Sequence, residues 1–225
     1  MSLLEKRSAP SSEFGADSQD LHLQAKFRSL RLIDAARAGA TLLALLMGVV
    51  VLGVAGNSIQ VYNATHAGEA AWLSLWPDRG AFDFRPTVAL VAGAAIVVAA
   101  NLVALSSHHR LIRARLSAAH TPLTFTAPFV GLVAAIVAIA LYYSINRSTT
   151  ADTLLSWSCR WRHLSMTQRP QFGTLCRTSR AGIDLAILLI PVEAAALLLA
   201  GLQLKTERYT AAYAHARKTP SPVLA

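Results

Sequence analysis

Four blocks of nearly uninterrupted apolar sequence, set between polar and basic stretches, organise this chain. They cover residues 39–60, 87–107, 123–143 and 185–204. Each approaches the ~20 residues a helix needs to cross ~30 Å of hydrocarbon. Runs such as Leu42-Leu43-Ala44-Leu45-Leu46 lack the two-residue alternation of a barrel strand. Backbone groups in lipid have no water to bond, so each block is predicted to be a helix. The connections are short, which imposes up-down order. The expected fold is an all-α membrane protein: a four-transmembrane-helix up-down bundle over residues 39–204, with an extramembrane loop closed by one disulfide.

Small residues recur at four-residue spacing in the spans: Ala44 and Gly48, Ala89 and Gly93, Ala127, Gly131 and Ala135, Ala196 and Ala200. Such faces let helix backbones approach closely. They predict a compact bundle and also motivate lateral packing on a second copy or another membrane protein.

The flanks differ from the spans. Residues 1–19 are Ser-rich with no apolar period and read as a disordered cytosolic tail. Across residues 20–38, Leu23, Phe27, Leu30 and Ile33 recur at helical spacing with Lys26, Arg28, Arg31 and Arg37 mostly between them. This basic amphipathic helix either lies on anionic lipid of the inner leaflet, where each cation adds about 1 kcal/mol, or simply orients span one. Residues 205–225 form a basic cytosolic tail. The first apolar block is too long for a cleaved signal core and is expected to remain as a signal anchor.

Composition agrees with a membrane protein: 54% hydrophobic, 15% charged and a mean hydropathy of +0.42, against about 25% charged in soluble domains. The net charge of +9 matters less than its placement. Cations cluster before span one, between spans two and three (Arg110, Arg113, Arg115) and after span four (Lys205, Arg208, Arg217, Lys218). Positive-inside reasoning then puts both termini in the cytosol. The Arg-rich loop 144–181 weakens that bias. Cys159 and Cys176 both fall in this outside loop, where a disulfide closes if the compartment is oxidising; two unpaired or buried thiols are the alternative. Both N-x-Ser/Thr sequons, at Asn63 and Asn146, also face outside and are candidate glycosylation sites. The expected location is the secretory pathway or the plasma membrane.

Chemistry-bearing residues are few. Glu193 lies mid-span in Ile190-Pro191-Val192-Glu193-Ala194. A charge at that depth costs roughly 2.5–3.5 kcal/mol on insertion scales. Ala196 and Ala200 share its face, so it is expected to point inward. Three roles compete: a neutral acid bonded to the Ile187 carbonyl, which Pro191 leaves free; a proton or ligand site; or an inter-subunit contact. Asn101 is the other mid-span polar side chain. Counted from the outside ends of the spans, the two differ in depth by about 9 Å, so a direct bond is not expected. His108, His109 and His120 have no carboxylate or cysteine beside them and three arginines nearby, so no metal site is predicted. In the first outside loop, Trp72, Trp76, Phe82 and Phe84 fit an aromatic belt at the headgroups, and Arg85 with Asp83 and Asp78 fits an ion-pair cluster.

Trp157, Arg160, Trp161, Arg162, Arg169 and Arg177 gather in the second outside loop. They suit an anionic ligand: a lipid headgroup, an acidic glycan or an acidic patch on a partner. The alternative is an interfacial loop on the phosphates of the host bilayer. No HExxH, GxSxG or carboxylate cluster is present, so an enzyme is not the leading expectation; one would use Glu193 as acid or base, helped by Asn101 or His163. A transporter or channel subunit is a further alternative. The expected partners are the bilayer, anionic lipid, and a second copy or another membrane protein. No cofactor and no nucleic acid are called for.

The stretches Leu75-Trp76-Pro77, Phe82-Asp83-Phe84-Arg85-Pro86-Thr87, Trp157–Arg162 and Phe172-Gly173-Thr174-Leu175-Cys176 are similar to four-span membrane proteins of filamentous fungi. The layout resembles MARVEL-type and claudin-like tetraspan proteins. It departs from claudins, whose signature cysteines lie in the first outside loop, and lacks the Cys-Cys-Gly of tetraspanins. The resemblance implies a membrane organiser or accessory subunit.

Overall fold

A computed structural model describes residues 13–66, 75–77, 79–107, 120–164, 166 and 169–218. The remainder of the two tails, Trp72, Asp78, His108, His109 and the basic loop that follows them lie outside the described residues. Four long helices cross between two ends of a bundle: α1 (Glu13–His66), α2 (Arg85–Ser107), α3 (His120–Ser148) and α5 (Phe172–Lys218). A short helix, α4 (Leu154–Arg160), lies between α3 and α5. All four long helices are long and apolar enough to span a membrane.

Helix α1 packs beside α2 and α5, and α3 packs beside the same two, so the four form a closed ring. The buried positions follow a three-then-four spacing. On α1 they are Arg37, Thr41, Ala44, Gly48, Val51, Ala55, Ser58 and Tyr62; on α2, Thr87, Leu90, Ala94, Val97, Asn101 and Ala104. This is the heptad spacing of coiled-coil packing. Large apolar side chains point the other way, among them Leu46, Ile96, Val133 and Leu198, and form the lipid-facing surface. The inward face uses small residues because lipid supplies no hydrophobic drive between helices and close backbone approach must hold them together. A Cβ on Gly93 would overlap the Ala138 methyl. Most of the predicted small-residue faces, from Ala44 and Gly48 to Ala196 and Ala200, are thus spent inside the bundle, and they do not motivate lateral contacts.

Helices α1 and α5 run well past the predicted spans. Residues 13–19, expected in a tail, are already helical, and so are residues 205–218. At the other end α1 continues to His66 and α5 starts at Phe172. These overhangs carry an extramembrane cap. Strands β1 (Phe82–Asp83) and β2 (Asp152–Thr153) pair in parallel, Phe82 opposite Asp152, and tie the two connecting loops together at one end of the bundle. Beneath them Tyr62, Trp76, Phe82, Leu154, Phe172 and Leu175 form a core. Of the first-loop aromatics expected at the headgroups, Trp76 and Phe82 are instead part of this core and Phe84 packs against it. Trp76 is 1% exposed, stacks edge-on against Tyr62 and Phe172 and donates its indole N–H to Thr65 Oγ1 at 2.9 Å.

Helix α4 starts with a reciprocal cap. Thr153 Oγ1 accepts from the Ser156 N–H, and Ser156 Oγ accepts from the Thr153 N–H. A disulfide joins its Cys159 to Cys176 of α5 with the Cα atoms 4.8 Å apart.

Candidate functional site

A hydrogen-bonded polar pair, Asn101 and Glu193, lies inside the bundle. Asn101 on α2 and Glu193 on α5 sit on helices that face each other across the ring. The Asn101 Nδ2 donates to Glu193 Oε1 at 2.6 Å and to the Val97 carbonyl of its own helix at 2.9 Å. The depths read from the sequence argue against this bond, and they fail for a definable reason. They were counted from the apolar edges of spans two and four, yet α5 begins 13 residues before its apolar edge. Ser58 Oγ lies 3.3 Å from Ser179 Oγ, and both line one small cavity with Thr87, which brings the three near one level. From Thr87 to Asn101 and from Ser179 to Glu193 is the same helical distance, about 21 Å. Nor does Glu193 turn to the Ile187 carbonyl: its hydrogen bond is to Asn101.

Glu193 exposes none of its surface. Its Oε2 has no hydrogen-bond partner and lies against the backbone of Gly131, where an added Cβ would come within 2.8 Å of the carboxyl carbon. Glycine here makes room for the carboxyl between α3 and α5. An amide partner supplies no countercharge, so an ionised carboxylate would be carried at a cost of several kcal/mol. The geometry suits a register lock between α2 and α5. Asn101 is the side chain hydrogen-bonded to the carboxyl. His163 cannot assist it: His163 lies in the cap just past α4, exposed and bonded by Arg162 Nε, and about 26 Å of α5 separates Cys176 from Glu193.

The second group is the cap. Trp157 is part of its frame, half-buried, with its indole N–H on the Leu75 carbonyl at 3.2 Å. Arg160 pairs with Asp152 at 3.0 Å and covers the Trp157 ring. Trp161, Arg162, Arg169 and Arg177 are exposed. Asp83 is buried beneath exposed Arg85, which reaches it at 2.7 Å. The hydrogen bonds from Arg85 hold the Asp83 carboxyl below the ordinary carboxylate range, with a further one from Thr149. The two sequons fall in helices: Asn63 is exposed near the end of α1 and Asn146 half-buried near the end of α3. The described residues contain no cluster of three or more His, Cys, Asp or Glu able to hold a metal ion.

The Asp83–Arg85 pair expected from the sequence forms; the core roles of Tyr62 and Phe172, and the part of Thr149 beside that pair, were not singled out. The signal for Tyr62 and Phe172 was present: the buried spacing of α1 continues past residue 60 to Tyr62, and the inward spacing of α5 runs from Phe172 through Leu175, half-buried Ser179, Gly182, Ala186 and Leu189 to Glu193. No family model, no curated protein and no solved structure matches the chain.

Proposed function

We propose that this multi-pass protein is a membrane organiser or accessory subunit that recognises a partner through its cap. The supporting observation is the construction of the cap. A disulfide, a two-strand bridge and an aromatic core hold a small extramembrane unit rigid, and that unit turns Trp161, Arg162, Arg169 and Arg177 outward. Rigid elements that present aromatic and arginine side chains are what protein recognition uses. The disulfide and the positive-inside bias together favour a cytosolic position for both termini and an exoplasmic one for the cap. The resemblance to MARVEL-type and claudin-like layouts points the same way. In this reading the Asn101–Glu193 pair keeps the bundle in one register beneath the cap, and Glu193 is not a catalytic residue.

The test is purification of the full chain from native membranes in mild detergent, with mass spectrometry of what accompanies it. A recurrent polypeptide at constant ratio is expected. Recovery of the chain alone, as a monomer, contradicts the reading. A phenotype unchanged by Glu193→Gln is also expected; a loss of function with the fold intact restores the enzyme and transporter alternatives.

A further inference from the structure

We propose that the outer face of the cap binds a carboxylate-bearing, acidic segment of another polypeptide rather than the headgroups of its own bilayer. This rests on the reading above that the cap recognises a partner, and it adds the chemistry of that partner.

The cations of the cap are chemically uniform. All four lysines of the chain, Lys6, Lys26, Lys205 and Lys218, lie near its two ends, and both outside loops carry arginine only. Guanidinium groups form paired hydrogen bonds to carboxylates that an ammonium cannot match. The fold brings these arginines together. The disulfide places Arg160 and Arg177, each the next residue after a bridged cysteine, on either side of one crosslink. Gly173 leaves no space for a Cβ because the Arg162 carbonyl oxygen would lie 3.0 Å from it, so Arg162 sits on the first turn of α5, into which Arg169 leads. The nearby acids are already engaged, Asp152 by Arg160 and Asp83 by Arg85. Arg162, Arg169 and Arg177 meet no acid among the described residues. Beside them Trp161 and Leu164 are 40% and 50% exposed, an apolar anchor next to unneutralised charge.

Height separates the candidate anions. On the outward stripe of α5, Ile187 and Leu188 face lipid and Asp184 is exposed, so hydrocarbon ends no higher than Asp184. Along the helix Arg180 stands about 6 Å above that residue, Arg177 about 10 Å and Gly173 with Arg162 about 16 Å. The headgroup layer is only about 5–7 Å thick on each side. Arg180 therefore lies among the phosphates of the host bilayer, Arg177 at their outer margin, and Arg162 clear of them.

The test places the full chain in nanodiscs of phosphatidylcholine and titrates a fluorescent peptide of glutamates around a central leucine. Saturable binding is expected. Arg162→Ala with Arg177→Ala should weaken it about tenfold or more, the loss of charge-assisted bonds, and Trp161→Ala should weaken it too. Arg180→Ala should leave it unchanged. Preferential binding of phosphatidylserine vesicles or of a sulfated oligosaccharide, with no peptide binding, overturns the inference, and so does peptide binding that ignores Arg162 and Arg177. A native partner recovered equally well by the double variant overturns this inference and leaves the organiser reading intact. Recovery of no partner removes that reading and this one with it.

Discussion

Two side chains decide how the bundle closes. Asn101 and Glu193 are polar groups at positions that the helix spacing assigns to the interior, and each satisfies part of the other. Interhelical hydrogen bonds in membranes contribute about 0.6 kcal/mol on average and up to about 1.7 kcal/mol. Asn101→Ala should cost an amount in that range, measured by unfolding in mixed micelles. Glu193→Gln, which keeps an acceptor for Asn101, should stay within about 1 kcal/mol of the parent. Replacing both by leucine should restore or raise stability, because apolar packing of similar volume often matches a buried polar pair. Glycine supplies a second contrast. Gly93→Ala drives a methyl into Ala138 and should cost about 1–3 kcal/mol, whereas Gly201→Ala meets nothing within 4 Å and should be neutral or stabilising by up to about 1 kcal/mol. Glu193 was legible as an inward-pointing residue from Ala196 and Ala200. Its partner was not, because apolar edges mark where lipid begins and say nothing about where a helix begins.

At the scale of elements, the cap is the part that a hydropathy reading misses. Spans announce themselves by length and composition, and the paired cysteines by their place in one loop. The aromatic core does not, since Trp76, Phe82 and Phe172 are scattered over three segments and meet only because α1 and α5 overhang the bilayer. The three-then-four spacing that reaches Tyr62 and Phe172 was the available cue. Removing the disulfide by Cys159→Ala with Cys176→Ala releases a constraint across 17 residues, which is worth about 3 kcal/mol in the chain-entropy account. The cap should then melt before the bundle, seen as early loss of near-ultraviolet dichroism from its tryptophans with helix content retained. The Asp83–Arg85 latch gives a pH dependence of fixed sign. The folded carboxyl titrates below its unfolded value, so its contribution is complete at neutral pH. It is lost as pH falls through about 3.9, the ordinary Asp value, toward the lower folded one. Asp83→Asn should remove that acid-side slope in cap melting.

At the scale of the molecule, the spans are apolar on both their inward and outward faces, and small residues are concentrated on the inward one. Small residues, a few larger ones such as Leu90, Ile183 and Leu189, and the Asn101–Glu193 pair face the centre, while most large aliphatic side chains face lipid. Four crossings would put the two ends of the chain on one face of the membrane and the stapled cap on the other. The most direct test is labelling of sealed vesicles with a membrane-impermeant maleimide. Single cysteines are introduced at Ser2 and Ser221 near the two ends and at Asn63 on the exposed surface of α1 within the cap. The account predicts that Ser2→Cys and Ser221→Cys react together, and that Asn63→Cys reacts only in vesicles of the opposite orientation or after permeabilisation. Labelling of one end without the other, or of Asn63→Cys alongside both ends in intact vesicles, would contradict it.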